Sequence, residues 1–109
     1  MNSTEIQVLR DISKNPCISQ REIASRNGVS LGKVNYVIRS LVDKGHVKVG
    51  NFRNSENKKG YMYLLTPNGM AEKARLTVEY LRRKMEEYEK LQRELDELKQ
   101  ELSKPGEMR

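Results

Sequence analysis

Tryptophan is absent from this chain of 109 residues, cysteine and histidine occur once each, as Cys17 and His46, and the aromatic content stops at one Phe and five Tyr. Each scarcity excludes something. A single cysteine forms no internal disulfide and no cysteine-based metal cluster, and it suits a reducing compartment. Cys17 lies in an Asn-Pro-Cys loop and is expected to be semi-buried packing. His46 stands where a helix gives way to a strand and reads as structural rather than as a ligand or base. With 36% hydrophobic and 33% charged residues, the core must be modest and aliphatic, too small for a typical enzyme cleft. No enzyme activity, catalytic residue, metal or cofactor is therefore expected. No apolar run approaches the roughly 18 residues of a membrane span, and the first residues lack the basic-then-apolar order of a signal peptide. Both point to a cytoplasmic protein with no membrane partner.

What the chain does have is uneven charge. Residues 1–66 hold 11 Lys and Arg against 5 Asp and Glu, whereas residues 67–109 hold 10 of each, so the whole net charge of +6 lies in the first part. A basic module suited to a polyanion is joined to a balanced segment with another task.

In chain order, Asn2-Ser-Thr-Glu5 has the form of a capping box and predicts a helix over about residues 3–14 with Ile6, Leu9 and Ile12 inward. Asn15-Pro16 ends it. Ser19-Gln-Arg-Glu22 is a second capping box, opening a short helix that buries Ile23 and Ala24, and Asn27-Gly28 allows a tight reversal before Ser30. Ser30 to Lys44 then reads as an amphipathic helix. Leu31, Val34, Val37, Ile38, Leu41 and Val42 share one apolar arc and are expected in the core, and Lys44-Gly45 closes the helix. Helix, short Gly-containing turn, helix is a helix-turn-helix. The period then changes: His46 to Phe52 and Tyr61 to Leu65 are β-prone runs around a polar, basic loop, Arg53 to Gly60, predicting a hairpin with a cationic tip, a wing.

Thr66-Pro67 restarts helix. No strong breaker follows until Lys104-Pro105-Gly106, so one helix of about 36 residues, on the order of 54 Å, is predicted. Ala74, Leu81, Tyr88, Leu95 and Leu102 recur every seven residues with Leu91 and Leu98 between them, a coiled-coil seam. Thr77 and Lys84 weaken its start, where Met70, Val78 and Met85 are expected to pack against the globular part. The predicted dimerisation residues are Leu81, Tyr88, Leu91, Leu95, Leu98 and Leu102. In a parallel pair Glu94 faces Lys99 of the partner, whereas an in-register antiparallel pair sets Glu against Glu, so a parallel homodimer is favoured. An exposed pair contributes only about 0.2–1 kcal/mol, so the leucines drive association. The expected organisation is a DNA-binding unit over residues 1–66, a dimerising helix over 67–102 and a disordered tail over 103–109. The fold class is mainly α with a small β-hairpin.

These parts in this order follow the winged helix-turn-helix plan. The chain resembles MarR-type transcriptional regulators, and within them the small group associated with exopolysaccharide genes, through Ser19 to Ala24, Ser30 to Gly45, the hairpin from Gly50 to Pro67 and Ala71 to Thr77. The resemblance covers about residues 4–102. It implies a bacterial DNA-binding regulator with the helix from Ser30 in the major groove and the wing on the backbone or minor groove. MarR-type proteins often hold a small ligand between their domains; this chain leaves little room for one, and no small-molecule effector is expected.

Residue chemistry then assigns roles on the outward face. Arg39 suits bidentate pairing with guanine and Asn35 with adenine, Tyr36 suits a sugar or thymine methyl, and Gly32 permits close approach. Ser30, Lys33 and Ser40, with Arg53, Lys58 and Lys59 of the wing, would contact phosphates of double-stranded DNA. The alternative is an adaptor that binds other proteins through its winged helix and seam, a role with no need of an uncompensated +6.

Overall fold

The computed structural model describes residues 3–53 and 59–103. Its elements run α1 (Ser3–Lys14), α2 (Gln20–Asn27), α3 (Leu31–Asp43), β1 (Val47–Arg53), β2 (Lys59–Leu65) and α4 (Pro67–Ser103). The chain divides into two compact units, Met1–Thr77 and Val78–Arg109.

In the first unit α1 buries Ile6, Leu9 and Ile12 as the period predicts, and Val8 with them. The proposed cap Asn2 lies outside the described residues. At its far end Asn15 folds back on itself: its N–H donates to the Asp11 carbonyl, and its side-chain oxygen accepts from the Cys17 N–H at 3.1 Å. That Asx turn faces Cys17 outward, so the thiol is exposed rather than semi-buried. Ser19 caps α2, accepting the Glu22 N–H at 3.0 Å, and Gly28 ends it at φ +64°, a left-handed conformation that glycine adopts without a Cβ clash. Ser30 then caps α3 by accepting the Lys33 N–H at 3.0 Å.

Val34, Val37, Ile38 and Leu41 of α3 are buried, but Leu31 and Val42, expected beside them, are 42% and 36% exposed. They occupy the first and next-to-last positions of the helix. A helical period gives the direction of a side chain but not how far the neighbouring elements reach along the axis.

The strands pair antiparallel from Val47 opposite Leu65 to Arg53 opposite Lys59. The first begins at Val47, because His46 still closes α3 by donating its N–H to the Leu41 carbonyl at 2.8 Å. Tyr63, almost fully buried, ties β2 to the loop before α2, its N–H donating to the Pro16 carbonyl at 2.9 Å. Thr66 clamps the exit from the hairpin: its N–H donates to the His46 carbonyl, its hydroxyl to the Gly45 carbonyl, and its oxygen accepts the Gly69 N–H at 3.0 Å. Gly69 is required there, since a Cβ would overlap the His46 carbonyl. Leu76 completes the core from the opening turns of α4. Met70, expected to pack inward, is 63% exposed.

The second unit is the remainder of α4. It stays helical through Ser103, one residue into the predicted tail. The six predicted dimerisation residues all lie on it, each exposed in the single chain. No helix among the described residues is long and apolar enough to cross a membrane.

Candidate nucleic-acid interface

The outward face of α3 is built by default. Once Val34, Val37, Ile38 and Leu41 turn inward, the 3.6-residue period leaves Gly32, Asn35, Tyr36 and Arg39 outside, with Ser40 half-buried at the edge. With Asp43 and Lys44 these residues line one shallow hollow of about 510 Å³. Lys33 is exposed but does not line it. Tyr36 is 72% exposed, and the side chains of Lys33, Asn35, Tyr36 and Arg39 make no hydrogen bond or ion pair with another described residue. Five of the predicted α3 residues, Gly32, Asn35, Tyr36, Arg39 and Ser40, are thus brought together, and of these the side chains of Asn35, Tyr36 and Arg39 are uncommitted to the rest of the described fold. Ser30 is different, because its oxygen already serves as the α3 cap.

Of the wing residues, Arg53 and Lys59 are opposed across the hairpin by backbone register, their side chains lying outside what is described, as does Lys58 entirely.

Sequence reasoning missed the wall facing this helix. Asn35 also lines a hollow of about 540 Å³ with Gln20, Arg21, Leu31 and Tyr61, and Arg39 one of about 350 Å³ with Val42, Val49 and Tyr61. Tyr61 is 62% exposed and stacks on Tyr63, ring centroids 6.4 Å apart. Gln20 donates its side-chain N–H to the Tyr63 hydroxyl at 3.2 Å, which fixes the α2 side of that wall. The signal was present in the strand alternation that puts Tyr61 and Tyr63 on one face. Two acids border the α3 face: Asp43 lines the hollow, and Glu5 holds Lys44 at 3.7 Å. That pair partly neutralises the cation and leaves Arg39 and Lys33 as the uncompensated positive groups of the helix.

Residues 1–48 match the family model described as winged helix-turn-helix DNA-binding. The fold is a winged helix-turn-helix. Solved structures similar to this chain include the PcaV transcriptional regulator from Streptomyces coelicolor in complex with its natural ligand, at 20% identity and TM-score 0.67 over 98% of this chain and 77% of that one. A PadR-like transcriptional regulator from Bacillus cereus aligns at 16% identity and TM-score 0.70, over 81% of this chain and 90% of that one. A MarR family protein from Mycobacterium tuberculosis in complex with p-aminosalicylic acid aligns at 23% identity and TM-score 0.67, over 94% and 79%. No curated protein matches the sequence. In this winged helix-turn-helix α3 occupies the recognition-helix position and β1 with β2 the wing. Among the described residues no group of three or more His, Cys, Asp or Glu is placed to hold a metal ion.

Proposed function

We propose that the chain is a bacterial sequence-specific DNA-binding transcriptional regulator that acts as a homodimer on an inverted-repeat operator. The observation that carries this reading is the outward face of α3, where Asn35, Tyr36 and Arg39 are exposed and their side chains make no hydrogen bond or ion pair with another described residue. A guanidinium and a carboxamide held on a rigid helix can each present two hydrogen-bonding atoms to a base edge in the major groove. Gly32 keeps that face low near its start, Lys33, Ser30 and Ser40 lie at the margins where phosphates would run, and the basic wing adds affinity without sequence preference. The leucine seam of α4 supplies the pairing that would set two half-sites about 10 bp apart, centre to centre. The resemblance to exopolysaccharide-associated regulators names the first operons to try.

The test is a gel shift with DNA from upstream of the chain's own operon at rising salt. Retardation at low salt that survives an excess of unrelated competitor supports the reading; no retardation at low salt overturns it.

A further inference from the structure

Arg39 and Asp43 stand one helical turn apart on the outward face of α3, and among the described residues they are the only two that line both the hollow of about 510 Å³ on that face and the hollow of about 350 Å³ toward Tyr61. Both are exposed. At this spacing a guanidinium and a carboxylate can reach one another, yet neither side chain makes an ion pair or hydrogen bond with another described residue. Glu5, the other acid at this face, is held by Lys44 at 3.7 Å. The fold gives no reason for an acid at position 43. Asp43 is the last residue of α3, where the partial negative charge of the helix end favours a cation. Phosphates give no reason either, since they repel a carboxylate. One feature of the major groove does suit it: cytosine presents the N4 amine, a donor that a carboxylate accepts. The adenine amine stands beside the N7 acceptor, a pattern that fits the carboxamide of Asn35 and opposes a carboxylate.

We propose that Asp43 is a specificity-determining residue, accepting from the N4 amine of a cytosine in the base-pair step where Arg39 takes guanine. This rests on the DNA-binding reading above. Arg39 covers the guanine acceptors O6 and N7, and Asp43 covers the donor, so each group is unpaired in the free protein and meets its complement in the groove. Thymine in place of that cytosine sets its O4 acceptor against the carboxylate and exchanges attraction for repulsion.

The test selects binding sites from random-sequence DNA duplexes with the unaltered full chain, with Asp43→Ala and with Asp43→Asn, then compares affinities for the selected site and for an unrelated duplex. The unaltered chain should prefer cytosine over thymine about tenfold at one position of its site. Asp43→Ala should lose that preference while binding the unrelated duplex at least as tightly, and Asp43→Asn, whose amide adds a donor, should move it toward adenine. Replacing that cytosine in the selected site with pyrimidin-2-one, which lacks the 4-amino group, should weaken the unaltered chain about tenfold and leave Asp43→Ala unaffected. The proposal is overturned if either variant keeps the cytosine preference, if Asp43→Ala gains affinity for every duplex by one common factor, or if pyrimidin-2-one costs it as much as the unaltered chain. An unaltered chain that retards DNA but enriches no sequence overturns the sequence-specific reading, and the proposal with it; enrichment without a cytosine that depends on Asp43 overturns the proposal alone.

Discussion

Asn27 donates its side-chain N–H to the Asp11 carboxylate at 2.9 Å and also to the Ile23 carbonyl at 2.8 Å, so the last residue of α2 is tied both to α1 and to its own helix. Arg26 adds an ion pair to the same carboxylate at 3.5 Å. Asp11 is a buried acid, and through these bonds it fixes the point from which the chain turns into α3. Replacing it with Ala leaves the Asn27 amide short of a partner in a half-buried place. We expect Asp11→Ala to lower stability by about 1–3 kcal/mol, read as a lower midpoint in urea at unchanged slope. An unchanged midpoint would mean that the bond contributes nothing net.

Gly69 sits where α4 passes the end of α3, under the His46 carbonyl. An added methyl must displace backbone on one side or the other. Gly69→Ala should therefore destabilise by about 1–3 kcal/mol despite the better helix propensity of alanine, a loss measurable by thermal unfolding.

Gly32 is the contrasting glycine. It lies inside α3, and a Cβ there would meet nothing within 4 Å. Gly32→Ala should raise stability by about 0.5–1 kcal/mol while weakening DNA binding, since the methyl would stand between the helix and the groove. Stability and affinity moving in opposite directions is the signature of a functional glycine; if affinity is unchanged, Gly32 is no part of the contact surface.

The Glu72 carboxyl is held below its ordinary value of 4.5 first by the hydrogen bond from Arg75, with burial opposing and the charges of Arg75, His46 and Lys44 adding to the lowering. A carboxyl with a lower value in the folded state binds fewer protons there than in the unfolded chain. Its stabilisation is therefore present above the ordinary value and is lost as the pH falls through the folded one. Glu72→Gln should lose less stability than the parent chain on acidification from about pH 5 to pH 3. Urea midpoints across that range check this, and equal losses would show that Glu72 is not responsible.

Much of this architecture was legible because local chemistry and global packing agree. Ser19, Ser30 and Thr66 begin their helices as their side chains dictate, Gly28 turns where positive φ is needed, and the change of period after Gly45 announces the hairpin. Tertiary reach was not legible. Leu31 and Val42 have the direction of core residues and lack the cover, and Cys17 faces solvent because Asn15 makes a turn that composition alone does not reveal. The α3 face was readable from its period, but Tyr61 was not assigned to it. Its place opposite Asn35 and Arg39 depends on how the hairpin lies against two helices.

Binding of Arg39→Ala to operator and to unrelated DNA, measured as a function of salt, tests the central claim most directly. Arg39 should carry discrimination of about 1–3 kcal/mol at its base. The account predicts a specificity ratio reduced by about 5- to 150-fold, with the slope of log affinity against log salt nearly unchanged, because phosphate contacts set that slope. A uniform loss of affinity on both DNAs with a shallower slope would place Arg39 on the backbone and contradict the reading of α3 as the element that recognises sequence.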